Sequence, residues 1–241
     1  MTDAADGQLR DRLYEAYASQ HAGRADEEAA GLIYRRDIRP VLPSADAGPV
    51  LDIGCGQGQL VRLLLADSYD AVGVDVSAQQ VALAHSAGLH QVLEGDYREA
   101  LTERFGQFAA VVATDLLEHL TKSEVLDTFD RVTLGLMPGG VFVARVPNAV
   151  SPFGGHIRYG DFTHESWFTE RSARQLAAAA GLESVTVMSC PPVAHGVISA
   201  ARLVAWKGVS AFYRLALAAE TGALRGHVVT QNLTFVARKP R

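Results

Sequence analysis

A glycine-rich turn near residue 55 has the residue types and spacing of a ligand-binding loop. An apolar run over residues 50–53 contains one acid, Asp52, and a helical pattern begins at Leu60. Between them, glycines stand at alternate positions: Gly54, Gly56 and Gly58. Glycine allows positive φ and a close approach of a ligand to the backbone, and the next helix offers unpaired N–H groups to an anionic group. The pattern predicts a strand, a tight turn and a helix that together hold a ligand against the main chain.

The spacing of these glycines distinguishes between the ligands that such turns bind. The dinucleotide fingerprint requires a glycine five positions after the first, but Gln59 stands there. No Lys-Ser or Lys-Thr pair follows, as a phosphate-binding loop would require. An ordinary turn with extra glycines is the alternative, and residues further along the chain decide between the two interpretations.

Two more acids stand where the next predicted strands end. Asp75 lies in the apolar run over residues 71–76, and Asp96 follows a third run over residues 91–95. At the carboxyl edge of a neighbouring strand, the Asp75 carboxylate could accept hydrogen bonds from both ribose hydroxyls of a nucleoside. The alternative role of Asp75 is to cap the next helix, although Ser77 is better suited to that role.

Three histidines are candidates for a general base, because imidazole titrates near neutral pH: His164, His119 and His156. We favour His164, since Asp161 lies close to it in sequence and could orient the ring and stabilise its charged form. The alternative for His164 is a hydrogen bond to the backbone of its own loop. His119 is the rival candidate.

Residues 147–168 form the segment on which we expect an acceptor to bind. They show neither a helical nor a strand period and are rich in glycine, histidine and aromatic residues, which is uncommon in a compact domain unless the segment binds something. The segment also follows the carboxyl end of a predicted strand, where open α/β sheets bind their ligands. The side chains expected to contact the acceptor are His156, Arg158, Tyr159 and Trp167.

Alternating strand and helix patterns must position all these residues, and they predict an α/β domain. The remaining strand patterns cover residues 108–114, 141–146, 184–189 and 228–238. Thr121 and Glu124 form a capping box that begins one helix, and residues 137–140 are expected to end it before the fifth strand.

The chain divides into three predicted parts. Residues 1–49 are expected to form an N-terminal helical lid, in which Tyr17, His21 and Arg24 are lid candidates. Residues 50–190 and 227–241 form the ligand-binding domain. Residues 191–226 form an apolar helical insertion in which three mid-segment cations, Arg202, Lys207 and Arg214, argue against a membrane span. A cap over the acceptor or a dimer face is the first interpretation of the insertion, and an interfacial helix on anionic lipid is the second.

Composition limits the partners and the compartment. The 241 residues carry a formal net charge of −5, and 48% of them are hydrophobic. A mildly acidic chain argues against a nucleic-acid partner. Two cysteines are too few for a disulfide framework, and the first residues lack the pattern of a secretory signal. We expect a cytoplasmic protein, which could work at the inner face of the membrane.

The pattern D-x-G-x-G-x-G, followed by acids at the next strand ends, resembles motif I of the class I S-adenosylmethionine-dependent methyltransferases. The resemblance implies a doubly wound, mostly parallel seven-stranded sheet of Rossmann-like type. It implies S-adenosylmethionine as cofactor and S-adenosylhomocysteine as product. The cofactor-binding residues implied are Asp52, Gly54, Cys55, Gly56, Gly58, Asp75, Val76, Asp96, Tyr97, Thr114 and Leu116.

Later motifs, including residues 115–120 and 158–165, resemble a bacterial subgroup linked to polysaccharide and lipopolysaccharide assembly. That resemblance implies an O-methyltransferase acting on a sugar hydroxyl of a surface glycan or its precursor. The alternatives are a quinone or natural-product methyltransferase and a cofactor-binding regulatory protein without catalysis. Asp115, Glu118 and His119 also resemble a divalent-metal site of some ubiquinone-pathway enzymes, although we do not expect a metal.

Overall fold

The computed structural model of the chain describes residues 27–223 and 226–241. The lid candidates Tyr17, His21 and Arg24 lie outside the described residues. Within the described part, seven strands form one sheet in the order β3-β2-β1-β4-β5-β7-β6. The strands are β1 Val50–Ile53, β2 Ala71–Asp75, β3 Val92–Glu94, β4 Phe108–Thr114, β5 Leu136–Pro147, β6 Glu183–Ser189 and β7 Asn232–Arg238.

The strand order creates a switch point between β1 and β4. Strands β1 to β5 are parallel to their neighbours, whereas β7 runs antiparallel between β5 and β6. From β1 the chain winds outward to β2 and β3, then returns to β4 on the other side. Open sheets bind ligands outside the carboxyl ends of the strands at such a point. The predicted doubly wound, mostly parallel seven-stranded sheet is therefore confirmed.

Helices cover both faces of the sheet. They are α1 Glu27–Ile33, α2 Gln59–Ala66, α3 Ala78–Ser86, α4 Tyr97–Glu103, α5 Lys122–Gly135, α6 Gly154–Arg158, α7 Glu170–Ala179 and α8 Val197–Thr221. Shorter turns are the π-helix Tyr34–Ile38 and the 3-10 helices Arg39–Val41, Ala45–Ala47 and Leu117–His119. Ser77 caps α3, and Thr121 and Glu124 form the predicted capping box of α5. These caps satisfy backbone N–H groups that have no partner within their own helix.

Two hydrophobic cores hold the layers together, one on each face of the sheet. On one face, the rings of Phe129 and Phe235 stack at 5.7 Å, and Phe142 meets both edge-on. Such ring pairs add to the free energy gained by burying the apolar area itself. Strand β4 is buried on both faces, which explains its continuous run of apolar residues.

Three elements differ from the sequence expectations. Strand β5 begins at Leu136, before the glycines that were expected to precede it, because Leu136 pairs with Phe108 across a register shift. Residues 147–168 are not wholly irregular, since they contain α6 and a bridge between Asn148 and Phe168. Strand β7 is shorter than predicted, and Asn148 Nδ2 binds the carbonyl oxygens of Val228 and Thr230 just before it.

The insertion contains one helix of 25 residues, α8. None of the helices in the described ranges is long and apolar enough to cross a membrane. The division of the chain into a lid, a binding domain and an insertion stays a prediction.

Candidate active site

The glycine turn is held against the acid at the end of the neighbouring strand. The Gly56 N–H donates to Asp75 Oδ2 at 2.7 Å, and the Ser77 N–H donates to Asp75 Oδ1 at 2.8 Å. Ser77 provides the side-chain cap of α3, so capping is not the main role of Asp75. The arrangement fixes the Asp75 carboxylate at the carboxyl edge of the sheet, beside the glycines.

The three glycines serve two purposes, although all adopt positive φ. A Cβ at Gly58 would lie 2.4 Å from Val92 Cγ2, and one at Gly54 would lie 2.8 Å from Leu116 Cδ1. These two glycines therefore permit close packing. A Cβ at Gly56 would meet no described atom within 4 Å. Gly56 is the position at which a ligand finds space beside bare backbone.

Asp52 is almost fully buried beneath this turn, in the middle of β1. Among the described residues, Asp52 Oδ1 has no hydrogen-bond partner. Burial, together with the nearby Asp75 carboxylate, raises the pKa of Asp52 to about 8. A buried carboxyl of this kind is ionised most readily when a cation lies beside it. The α-ammonium or the sulfonium of the implied cofactor would supply such a cation.

Asp52 should make stability depend on pH. Its ordinary pKa is 3.8, so between pH 4 and 8 the folded chain holds a proton that the unfolded chain has released. The stabilisation from this bound proton is fully present below pH 4 and is lost as pH rises towards 8. We expect the free energy of unfolding of the wild type, relative to Asp52→Asn, to fall by up to about 1.4 kcal/mol per pH unit. Urea unfolding at pH 5 and pH 8 measures this difference, and a difference independent of pH would contradict it.

Other implied cofactor contacts have mixed placements. Asp96 is half-buried at the start of α4, where its Oδ1 accepts from the Arg98 N–H at 2.8 Å. Val76 is exposed beside Asp75. Tyr97 instead lies in the core, and its hydroxyl is 2.8 Å from Thr128 Oγ1. The structure therefore does not place the Tyr97 ring at the rim of the sheet, because this position faces inward on α4.

Cys55 lies in the turn, but its side chain packs behind it. A Cβ at Gly73 would lie 2.6 Å from Cys55 Sγ, so the sulfur fills the space next to β2. Burial raises the pKa of the Cys55 thiol, and the nearby carboxylates of Asp52 and Asp75 raise it further. A thiol in this state is a packing group rather than a nucleophile.

The end of β4 connects the glycine turn to the histidines. Thr114 ends the strand, Asp115 follows with φ of +53°, and Leu116 contacts Gly54. The side chain of Asp115 forms an ion pair with Arg145 on β5. The next residues form the buried turn Leu117–His119. His119 is therefore three positions along the chain from Leu116, whose side chain contacts the glycine turn.

His119 is oriented by a chain of hydrogen bonds. Thr163 Oγ1 lies 2.6 Å from Asp161 Oδ1, to which it donates, and 2.7 Å from His119 Nδ1. Because the hydroxyl hydrogen is used on Asp161, the hydroxyl oxygen accepts from Nδ1–H of His119. In the neutral ring this leaves the lone pair on Nε2, the form that a general base requires.

Asp161 is suited to its end of this chain. Partial burial alone would raise the pKa of Asp161, but hydrogen bonds from the hydroxyl and the backbone N–H of Thr163 outweigh it. The nearby His119 and His164 lower the pKa further, so it lies below its ordinary value. Asp161 therefore stays ionised and favours the charged form of the imidazole.

His164 packs against His119, with ring centroids 4.8 Å apart. Its Nδ1 lies 3.2 Å from the carbonyl oxygen of Ile157, so Nδ1 is the donor. The expected contact of His164 with Asp161 is thus replaced by a backbone hydrogen bond, while Asp161 serves His119 through Thr163. The structure brings both candidate histidines together, and only His119 has the orienting carboxylate.

Glu118 adds a buried acid to the histidine pair. Its backbone oxygen accepts from the N–H groups of Glu165 at 2.7 Å and Ser166 at 2.9 Å. These bonds fix residues 147–168, the predicted acceptor-side segment, on the Leu117–His119 turn. Its side chain is buried, and Oε2 has no partner within the described part of the chain. Burial, and then repulsion from Asp115, raises the pKa of Glu118 well above its ordinary value.

Glu118, His119 and His164 have potential metal-ligand atoms within 4.8 Å of one another. Carboxylate oxygen and imidazole nitrogen are ligands that Zn²⁺, Fe²⁺ and Mn²⁺ accept. Asp115, the third member of the predicted set, is instead paired with Arg145. The sequence spacing alone could not show this replacement.

The side chains predicted to contact an acceptor form an aromatic and cationic wall. The Arg158 guanidinium lies 5.2 Å from the centre of the Trp167 ring and 5.6 Å from that of Tyr159. His156 and Tyr159 are exposed, and Trp167 is half-buried. These side chains offer ring faces and donors to an incoming molecule.

Sequence reasoning missed three residues of this region. Thr163 links His119 to Asp161, Arg145 pairs with Asp115, and the buried Asn148 ties the acceptor-side segment to residues 228–230. Each acts on a partner at least 30 positions away, apart from the Thr163 bond to Asp161. A polar residue inside an otherwise apolar strand, as Arg145 is, was the one local signal available.

Comparison with known proteins identifies the family of the chain. Residues 25–187 match the family model described as a methyltransferase domain. The chain is 31% identical over 88 residues to the ubiquinone biosynthesis O-methyltransferase of Bordetella avium. The aligned part covers 34% of this chain and 36% of that protein. The chain spans less than half the length of the curated relatives it matches first.

Solved structures share the fold at low identity. A SAM-dependent methyltransferase from Archaeoglobus fulgidus aligns with a TM-score of 0.69 and 18% identity, over 94% of this chain and 99% of that chain. The 1,6-didemethyltoxoflavin-N1-methyltransferase of Burkholderia thailandensis, with S-adenosylhomocysteine bound, aligns with a TM-score of 0.62 and 17% identity, over 100% of this chain and 91% of that chain. At these identities the likeness concerns the fold.

Proposed function

This chain belongs to the methyltransferase-domain family, and from that premise we propose that it transfers the methyl group of S-adenosylmethionine to a hydroxyl oxygen of a small molecule. The proposal rests on the glycine turn held by Asp75 at the switch point of the sheet, and on Leu116, which contacts this turn three positions before the oriented His119. No nucleic acid takes part, in keeping with the acidic balance of the chain.

Four residues in the glycine turn and at the strands around it support the fit to this cofactor. Asp75 offers carboxylate oxygens to the ribose hydroxyls, and Gly56 leaves space beside its backbone. Asp52 offers a buried carboxyl that an adjacent cationic group would hold in its ionised form, and Asp96 offers acceptor oxygens at the next strand end. When bound, the cofactor supplies an electrophilic methyl group on a sulfonium and leaves as S-adenosylhomocysteine.

His119 is the proposed general base, assisted by Thr163 and Asp161. A hydroxyl is a poor nucleophile while protonated, so its proton must pass to a base as the oxygen attacks the methyl carbon. The proton goes to Nε2 of His119, and the resulting positive charge is stabilised through Thr163 by Asp161. Arg158 and the two rings beside it would hold the acceptor in line, which supplies much of the rate gain of a displacement. His164 packs against His119 and limits the movement of its ring.

A second use of the same cluster is metal binding. Glu118, His119 and His164 would hold a divalent cation, and the unpartnered oxygen of the buried Glu118 side chain supports this alternative. The ion would lower the pKa of a bound hydroxyl, so that its proton could pass to water without a protein base.

We propose two alternative acceptor classes. The proposal made from the later sequence motifs is a sugar hydroxyl of a bacterial surface glycan or its precursor, and the exposed His156, Arg158 and Tyr159 supply polar groups and ring faces for a sugar. The second class is a quinol or natural-product hydroxyl, which the name of the Bordetella avium relative supports. We place the reaction in the cytoplasm, in keeping with two unpaired cysteines.

A transfer assay with methyl-labelled S-adenosylmethionine tests the function. We expect label to pass to fractions that contain hydroxylated acceptors, either lipopolysaccharide precursors or ring hydroxyls of catechol type. Label in the first fractions alone supports the sugar acceptor, and label in the second alone supports the quinol acceptor. Cofactor binding without transfer to any fraction would indicate a regulatory protein and overturn the enzymatic proposal.

A further inference from the structure

Helix α8, Val197–Thr221, packs against the acceptor-side segment with one narrow face. The residues that face inward recur at spacings of three and four: Leu203, Trp206, Ser210, Tyr213 and Leu217. The rings of Trp206 and Tyr213 lie 6.3 and 6.2 Å from that of Phe153, which belongs to residues 147–168. This contact attaches the helix to the wall on which the acceptor is expected to bind.

The opposite face of α8 is apolar and exposed. Five large apolar side chains on it are 66–88% exposed: Val197, Ile198, Val204, Phe212 and Leu215. At 100° per residue, they fall within an arc of about 120°. The other residues in that arc are small and uncharged: Ala201, Ala205, Gly208, Ala216 and Ala219. A continuous apolar face of this size usually marks an interaction surface.

The charges of α8 stand at the borders of this face. Lys207 and Arg214 lie on one side of the arc and Arg202 on the other, about 40–80° from its edges. The helix carries one acid, Glu220, close to its C-terminal end. The exposed face is therefore flanked on both sides by cations, in a chain whose net charge is −5.

We propose that the outward face of α8 docks on the surface of an anionic lipid bilayer. An apolar helix face bordered by Lys and Arg lies in the plane of a membrane interface, with its apolar residues among the acyl chains and its cations at the lipid phosphates. A second copy of the chain is the competing occupant. Pairing two such helices through this face would bring cationic borders together, with one acid per helix to offset three cations, which opposes association.

Docking in this way has a consequence for the acceptor. Because Phe153 joins α8 to residues 147–168, the bilayer surface would lie close to the acceptor-side wall. Resting on the proposed function, this favours an acceptor held at a membrane, such as a lipid-linked sugar or a quinol. The binding of lipid itself does not depend on methyl transfer, so the two can fail separately.

Vesicle sedimentation of the full chain tests the proposal, with phosphatidylcholine vesicles compared with vesicles that also contain phosphatidylglycerol. We expect at least about tenfold stronger partitioning to the anionic vesicles. Phe212→Ser with Leu215→Ser should weaken it by at least about tenfold. Arg202→Gln with Lys207→Gln should remove most of the preference for anionic lipid. Arg214 is left unchanged because its side chain also binds the His227 carbonyl oxygen.

Leu126→Ser with Leu134→Ser is the matched control, since both residues are exposed apolar positions on α5. This control should retain vesicle binding, and every variant should retain cofactor affinity by calorimetry, which shows that the fold is intact. Equal partitioning of the wild type and the α8 variants, or no binding to either vesicle, would overturn the proposal. A wild-type dimer by light scattering that Phe212→Ser with Leu215→Ser converts to a monomer, without vesicle binding, would assign the face to a second copy instead.

Discussion

Replacing Asp75 with alanine is expected to abolish binding of S-adenosylmethionine, with an affinity loss of at least about a hundredfold in calorimetry. Hydrogen bonds to a charged group contribute about 1.5–3 kcal/mol each, and two ribose hydroxyls would lose their acceptor together. The loss also includes the Gly56 hydrogen bond, which holds the turn in its binding conformation. No other position in the described site combines both roles.

Two further variants separate these roles. Asp75→Asn keeps an oxygen that can accept from Gly56 but loses the charge, so we expect an intermediate affinity. Asp130→Ala removes an exposed acid from α5 and is the matched control, which should bind normally. Asp75→Ala with normal affinity and normal thermal unfolding would remove Asp75 from the ribose role.

Replacing His119 with alanine is expected to lower the turnover number by about a hundredfold or more, while cofactor affinity stays near the wild-type value. The expectation follows from the hydrogen-bond chain that fixes the tautomer of His119. Thr163→Val should lower turnover by a smaller factor than His119→Ala does, because the base remains but the charged imidazole loses its link to Asp161. Turnover and affinity measured on the same samples separate a catalytic loss from a folding loss.

Two controls make the His119 result specific. His90→Ala removes an exposed histidine that precedes β3, at the edge of the sheet opposite the site, and should leave turnover unchanged. His164→Ala should cost less than His119→Ala, because His164 has a backbone carbonyl as its Nδ1 partner. The reverse order would make His164 the base. Loss of turnover with a chelator, restored by Mn²⁺ or Zn²⁺, would favour the metal alternative at Glu118 over either histidine as base.

The contact between the glycine turn and Asp75 could be predicted from the sequence because its signals are local. Alternating glycines, a strand of three or four residues and an acid at its end lie within a few positions of one another, and parallel strands bring their carboxyl ends to one edge. The fold was predictable for the same reason, because each strand and helix shows its own hydrophobic period within a short stretch of sequence. Tyr97 is the exception, because its inward direction depends on the packing of α4 against α5, where Thr128 lies.

The acceptor side depends on contacts between distant residues. The sequence placed Asp115 with Glu118 and His119 as a candidate metal ligand. In the structure it pairs instead with Arg145, 30 positions away on β5. His164 is adjacent in sequence to Thr163, yet Thr163 contacts His119, which is 44 positions away. The predicted start of β5 was wrong because pairing with β4 extends the strand back through the glycines that were expected to precede it. Local patterns cannot encode such pairings.

We propose that the turn at residues 54–58, together with Asp52, Asp75 and Asp96, surrounds an adenosyl cofactor at the switch point of the sheet. A crystal structure of the chain with S-adenosylhomocysteine would show the ligand and its contacts. We expect the ribose within hydrogen-bonding distance of Asp75, backbone contact at Gly56 and the amino group of the ligand near Asp52. A ligand bound at any other edge of the sheet, with Asp75 still closed on Gly56 and no contact to either, would contradict it.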